Sequence, residues 1–171
     1  GSTSLTSSGY SDIFIAKLTS NGIWQWAVKG GGGSNDVGYG IAVDLSGNAY
    51  VTGYFTENFA GFGTVSIGNS NLTPSGYSDI FIAKLTNNGI WQWVAQAGGG
   101  YSYSSNSLGD RGKAITVDSN GDVYVTGAFR GTASFGNFSL ISSGYDDIFI
   151  AKLSNTGTWN WASKKGSQSQ N

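Results

Sequence analysis

The stretch SGYSDIFIAKL, Ser8 to Leu18, returns letter for letter at Ser75 to Leu85 and with one change, SGYDDIFIAKL, at Ser143 to Leu153. Equivalent glycines Gly9, Gly76 and Gly144 lie 67 and 68 residues apart, and so regular a period means one structural unit repeated along the chain. Side chains of a strand alternate between its faces. In DIFIAKL that puts Ile13 and Ile15 on one face and Phe14, Ala16 and Leu18 on the other, so both faces require burial and only Asp12 and Lys17 can reach water. A sheet with one wet face would alternate apolar with polar. This one must lie between neighbours.

Composition agrees with sheets. Among 171 residues are 28 Gly and one Pro, 14% are aromatic and 11% charged, and Val, Ile, Thr, Tyr, Phe and Trp crowd the ordered stretches as pleated strands require. An all-β chain with many turns is expected. A net charge of −1, with nine Lys plus Arg spread thinly, offers no face for neutralising phosphates, so no nucleic-acid partner is expected. No apolar run approaches the roughly 20 residues of a membrane helix, and no charged-then-apolar leader precedes the first repeat. A soluble chain with no membrane partner follows as the expectation. Cys, Met and His are absent, which removes thiol nucleophiles, imidazole bases and soft metal ligands together. The chain is therefore expected to be non-catalytic, with no cofactor and no metal. Gly1-Ser2 without Met reads as a cloning remnant ahead of a piece of something longer.

Within one period four strands are separated by turn signals. Asp12 to Leu18 and Gly22 to Gly30 are joined through an Asn-Gly pair, a hairpin signal. Gly40 to Leu45 and Asn48 to Phe55 are joined through Ser46-Gly47, and the next copy repeats the plan with Lys113 to Asp118 and Asp122 to Phe129. Small Gly40 and Ala42 mixed with Ile41 and Val43 suit a strand in a crowded centre. A ring of small sheets meets all of these demands.

The carriers Asp36, Gly38, Gly40 to Asp44, Gly47-Asn48, Tyr50 to Gly53, Phe55, Gly76, Asp79 to Leu85, Trp91, Trp93 and Gly98-Gly99 make a pattern that resembles the bacterial β-propeller repeat family, the SBBP-type repeats of exported Bacteroidota-like proteins. The resemblance covers nearly the whole chain. It implies β-propeller blades of four antiparallel strands, with GIAVD innermost, AYVTGYF second, DIFIAKL third and WQWAV outermost, and an extracellular or cell-surface location. It implies no reaction. On that phase residues 1–34 are an outer half-blade hairpin, 35–100 one blade and 101–171 another, about two and a half blades. Since propellers use about four to eight blades, either the piece belongs to a longer chain or copies self-associate through the unmatched half-blade.

Four groups of residues invite a ligand, and each has a plainer reading. The tryptophan pairs Trp24/Trp26, Trp91/Trp93 and Trp159/Trp161 stand at i and i+2, expected on one strand face, where an indole could stack on a sugar; packing between blades is the alternative. Tyr10, Tyr77 and Tyr145 enter the third strand at a rim, fit for a ligand or for a turn. Asp12, Asp79 and Asp147 recur beside them, as ligand contacts or as structural hydrogen bonds. DLSGN (Asp44 to Asn48) and DSNGD (Asp118 to Asp122) mimic a calcium loop, but Glu57 is the chain's only Glu and stands at no bidentate position, so an Asp-initiated turn is the reading. The tentative ligand set is Tyr10, Asp12, Trp24, Tyr77, Asp79, Trp91, Tyr145, Asp147 and Trp159. The copies differ most in the Tyr/Ser-rich segment from Gly98 to Asp110 and in the stretch before Gly76, loops suited to binding. The functional expectation is a non-catalytic repeat module of an exported or surface protein, a scaffold or protein-interaction unit. A lectin-like propeller binding glycans between blades stands as the alternative.

Overall fold

A strand that is apolar on both sides cannot stop at one hydrogen-bonded layer, and the architecture of the computed structural model follows from that. The structure describes residues 3–56, 65–67, 69–100 and 109–166. In chain order the strands are β1 (Ile13–Leu18), β2 (Trp24–Gly30), β3 (Val37–Val43), β4 (Ala49–Thr56), β5 (Val65–Ile67), β6 (Ser70–Leu72), β7 (Ser78–Leu85), β8 (Trp91–Ala97), β9 (Arg111–Val117), β10 (Val123–Phe135), β11 (Phe138–Leu153) and β12 (Trp159–Lys165). Two antiparallel sheets are four-stranded, β3-β4-β7-β8 and β9-β10-β11-β12, each read from inner edge to outer edge; β1-β2 and β5-β6 are two-stranded. These are propeller blades and one outer half-blade. The expected hairpins form where Gly supplies positive φ, as at Gly47 (φ 79°) and Gly121 (φ 81°) between the inner strands. Much of the variable Gly98 to Asp110 segment, and part of the stretch before Gly76, lie outside the described residues.

Blades meet face to face along two seams. In the first, Ile13 and Ile15 of β1 pack with Val51, Phe55, Phe81, Ala83 and Leu85. In the second, Tyr50, Ile80 and Ile82 pack with Val123, Val125, Phe149, Ala151 and Leu153. Successive residues Ile80, Phe81 and Ile82 are therefore all fully buried, because β7 has a neighbour on each side. We call the side of a blade turned toward the preceding one its leading face and the other its trailing face.

The expectation that each tryptophan pair shares one strand face is corrected by a β-bulge. Lys84 opposes Trp93 while the next residue, Leu85, opposes Trp91, leaving Gln92 as the extra residue; the same shift falls at Lys17/Leu18 and Lys152/Leu153. The two indoles thus pair with residues of opposite faces. Trp91 packs into the first seam's core and Trp93 into the second. Spacing alone could not reveal this, since i and i+2 share a face only in an unbroken strand.

Beyond the blade body β10 and β11 continue as a long hairpin up to Phe135↔Phe138. It inserts Phe135 between Phe149 (centroids 4.9 Å) and Trp159 (5.3 Å, edge to face) on the leading face. Ile67 and Leu72 lie in the corresponding core of the preceding blade.

Candidate interaction faces

Each seam carries the same polar lock. Trp26 donates its indole Nε1–H to the carbonyl of Asn87 at 3.0 Å, and Trp93 does so to Asn155, also at 3.0 Å. The accepting residue opens the turn between a blade's two outer strands, and that turn ends in Gly89 or Gly157, which lies against the indole: a Cβ there would come within 2.8 Å of the ring. Lys17 adds a donor to the Asn87 side chain. A second tie runs through Asp36 and Asp110, which open the inner strands. Asp36 accepts from Gly32 N (2.7 Å) and Thr56 N (3.3 Å), and Asp110 from Gly99 N (2.9 Å) and Arg130 N (2.9 Å). Each carboxylate thereby joins the preceding outer strand to its own blade's second strand. Burial pushes Asp36 up to about 6 and Asp110 to about 7, against the pull of these backbone donors.

The lock is open at both ends of the described structure. Trp161, equivalent to Trp26 and Trp93, is 37% exposed on the last trailing face beside Ile148 (62%) and Ile150 (48%), whose counterparts Ile80 and Ile82 are fully buried. On the first leading face Phe14 is 70% exposed where Phe81 and Phe149 are at 0%. Gly22, equivalent to Gly89 and Gly157 (φ 76° against 77° and 82°), would place its Cβ within 4 Å of nothing.

The ligand set expected from sequence is divided by this geometry. Asp12, Asp79 and Asp147 are turned inward as staples: each accepts from the backbone N four residues earlier (Ser8, Ser75, Ser143 at 2.8–3.0 Å). Each also accepts from the outer strand, through Lys29 at 3.2 Å, Gln96 at 2.7 Å or Lys164 at 2.9 Å. Burial alone would raise Asp147, but Lys164 and the Ser143 amide hold it below its ordinary value. Tyr10 and Tyr145 are exposed, and Tyr77 is on the border of exposure. Tyr10 and Tyr77 stand just before the third strand and Tyr145 at the matching point within β11, whereas Trp24, Trp91 and Trp159 stand beside that strand's last residue, roughly 26 Å away along the strand. The structure therefore brings Tyr and Asp of a repeat to one rim and Trp to the other. Trp24 is half-exposed in a groove of about 300 Å³ with Phe14, Leu5 and Gln25; Trp91 and Trp159 pack within their blades. The Asp44 and Asp118 turns are self-contained. Asp44 accepts from Ser46 N, Asn48 N, Asn48 Nδ2 and Tyr50 OH.

One cluster breaks the repeat and went unread in the sequence. The buried side chains of Arg111 and Arg130 converge on Asp146, at 3.5 and 2.8 Å, and the Arg130 guanidinium lies over the Tyr145 ring at 4.8 Å. Comparing copies would have exposed it, since Val37 and Thr56 stand at the two arginine positions and Ser78 at the aspartate.

Residues 29–60 match the family model described as Beta-propeller repeat, SBBP. Over 97% of its length the chain is 29% identical to an uncharacterized WD repeat-containing protein of Acanthamoeba polyphaga mimivirus. The chain spans 12% of that relative's length. Both likenesses support a propeller repeat module.

The lock predicts unequal costs for one substitution. Gly→Ala at the left-handed turn position costs roughly 1–2 kcal/mol of backbone strain anywhere. At Gly22 the expected loss in urea unfolding is only that, while at Gly157 displacement of Trp93 is added; equal losses would remove the indole contact as a source of stability. Asp110 sets a pH dependence. Its folded value of about 7 lies above the ordinary 3.8, so the folded state holds its proton longer than the unfolded chain does. The stability it contributes is full below pH about 4 and is lost as pH rises through 7. Unfolding curves from pH 4 to 8 should show a shallower decline for Asp110→Asn than for the parent, and parallel declines would refute the assignment.

Proposed function

We propose that the chain is a non-catalytic β-propeller repeat module that works in protein interaction, as a scaffold unit of an exported or surface protein, with its leading and trailing faces as the contact surfaces. One observation carries this reading: the Trp–Asn–Gly lock that closes both internal seams stands open at each end. Trp161 projects from one end and the Gly22 turn is bare at the other. A neighbouring blade supplies the matching half of each, and for this chain by itself that blade is a second copy's. Such contact is head to tail, and it gives a ring if the rotation closes and a filament if it does not. The thinly charged composition, rich in Ser, Asn, Gly and Thr, suits an exported setting, which an intact parent protein located by cell fractionation would test.

Light scattering decides the contact. A mass that rises with concentration, and falls back to one chain in Trp161→Ala with unfolding little changed, is the expected result. A monomer throughout, up to about 100 μM where even weak contacts register, would sink it.

The carbohydrate reading retains one favourable observation, the half-exposed Trp24 beside Phe14 and Gln25 in an open groove, since an indole face can stack on a sugar ring. It predicts glycan-array binding that disappears in Trp24→Ala. A blank array counts against it.

A further inference from the structure

The long hairpin of the last blade ends in a residue that packing does not explain. Phe135 pairs with Phe138, which leaves Gly136 and Asn137 as a two-residue turn. Gly136 holds a positive φ of 60° at the first central position, as a type II′ hairpin requires, and Asn137 takes the second. Phe135 is fully buried and Phe138 packs against the same core, so the turn is fixed from below. A Cβ at Gly136 would already meet Trp159 at 2.9 Å. Asn137 by contrast is exposed, and among the described residues its amide has no hydrogen-bond partner. The end of the chain does not create this exposure. Asn69, 68 residues earlier at the equivalent position of a blade with a neighbour on either side, is exposed as well.

We propose that Asn137 is an N-glycosylation acceptor, carrying a glycan at the tip of the hairpin that stands beyond the blade body. The inference rests on the reading that the parent protein is exported. Asn137-Phe138-Ser139 has the required form, an asparagine with a hydroxyl residue two places on and no proline between. In the transfer the Asn137 amide nitrogen attacks the anomeric carbon of an oligosaccharide linked to a lipid pyrophosphate. A C–N bond forms, the C–O bond to the pyrophosphate breaks, the amide gives up one proton, and the lipid pyrophosphate leaves with the electron pair. Ser139, whose hydroxyl the transfer needs, is exposed too. Asn137 belongs to neither seam core, so the folded blade accommodates the added sugar without repacking.

Sequence and structure together single out this asparagine. Asn21, Asn88, Asn120 and Asn155 also lie exposed in hairpin turns, but the residues two places on are Ile23, Ile90, Asp122 and Gly157, none with a hydroxyl. Asn69 is followed at that distance by Asn71. Asn71-Leu72-Thr73 does have the form, yet Pro74 comes directly after it. A residue before proline is held extended, which opposes the turn that brings the hydroxyl toward the asparagine amide. Asn137 is therefore the preferred acceptor.

The test is mass spectrometry of the peptide that contains Asn137, taken from the parent protein and from the full chain secreted by cultured cells that perform N-linked transfer. Expected is a peptide heavier by one glycan, returned by an N-glycanase to the bare peptide with aspartate at that position. Asn137→Gln and Ser139→Ala should each abolish the modification, and Ser139→Thr should keep it. The serine variants leave the asparagine in place and change only an exposed side chain. A secreted chain with bare Asn137 overturns this inference alone. So does a glycan that survives Ser139→Ala, or one found on Asn71 and not on Asn137. A parent protein found only in the cytosol overturns the exported setting and this inference with it.

Discussion

Ile80, Phe81 and Ile82 follow one another in β7 with no exposed surface among them, and the rest of the molecule depends on how that is achieved. Their side chains leave the sheet in alternate directions, so burying all three takes one neighbouring blade for the isoleucines and another for the phenylalanine. Burial of a large apolar side chain is worth about 1.5–3 kcal/mol, and a lone four-stranded blade would forfeit it on both faces. Stability therefore resides in the seams as much as in the blades, as it does in repeat arrays where each unit holds only its neighbours.

The β-bulge beside each outer turn adapts the outermost strand to that two-sided demand. An unbroken strand would send both indoles of a pair the same way. With Gln25, Gln92 or Asn160 as the extra residue, the first tryptophan covers its own blade's leading face and the second reaches forward to the next turn. The forward indole then needs a turn that offers both a carbonyl and no Cβ, which Asn87 to Gly89 and Asn155 to Gly157 provide. The repeated Trp-x-Trp and x-x-Gly signals are two halves of one contact, about 60 residues apart.

Sequence revealed what depends on local pattern and repetition. The strands, the Asn-Gly and Ser-Gly hairpins, the four-stranded blade and the excess of three DIFIAKL segments over two YVTG segments could all be read from letters. It misread the tryptophan pairs because a bulge leaves no trace in an i, i+2 spacing. It left Arg111 and Arg130 unremarked, and with them their meeting at Asp146, because that depends on strand register across a sheet, Ala128↔Arg111 on one side and Arg130↔Asp146 on the other. For Asp12, Asp79 and Asp147 the letters allowed both a ligand contact and a structural hydrogen bond, and the backbone amides of Ser8, Ser75 and Ser143 show the second. A carboxylate before a strand reads the same whether it waits for a ligand or closes its own turn.

The edges of the sheets are not equally guarded. Unpaired strand edges invite association, and natural sheets blunt them with lysine. The outer edge strand β12 carries Lys164 and Lys165, and the outer strand β2 carries Lys29. Along β1 the free inner edge runs Ile-Phe-Ile-Ala before Lys17, and Lys17 is drawn away toward the Asn87 side chain of the next blade. In β7 and β11 the same Ile-Phe-Ile-Ala run is buried beneath a second strand. Pairing on both sides of that run is what the repeated blade supplies, with the lysines left to the strands outside it.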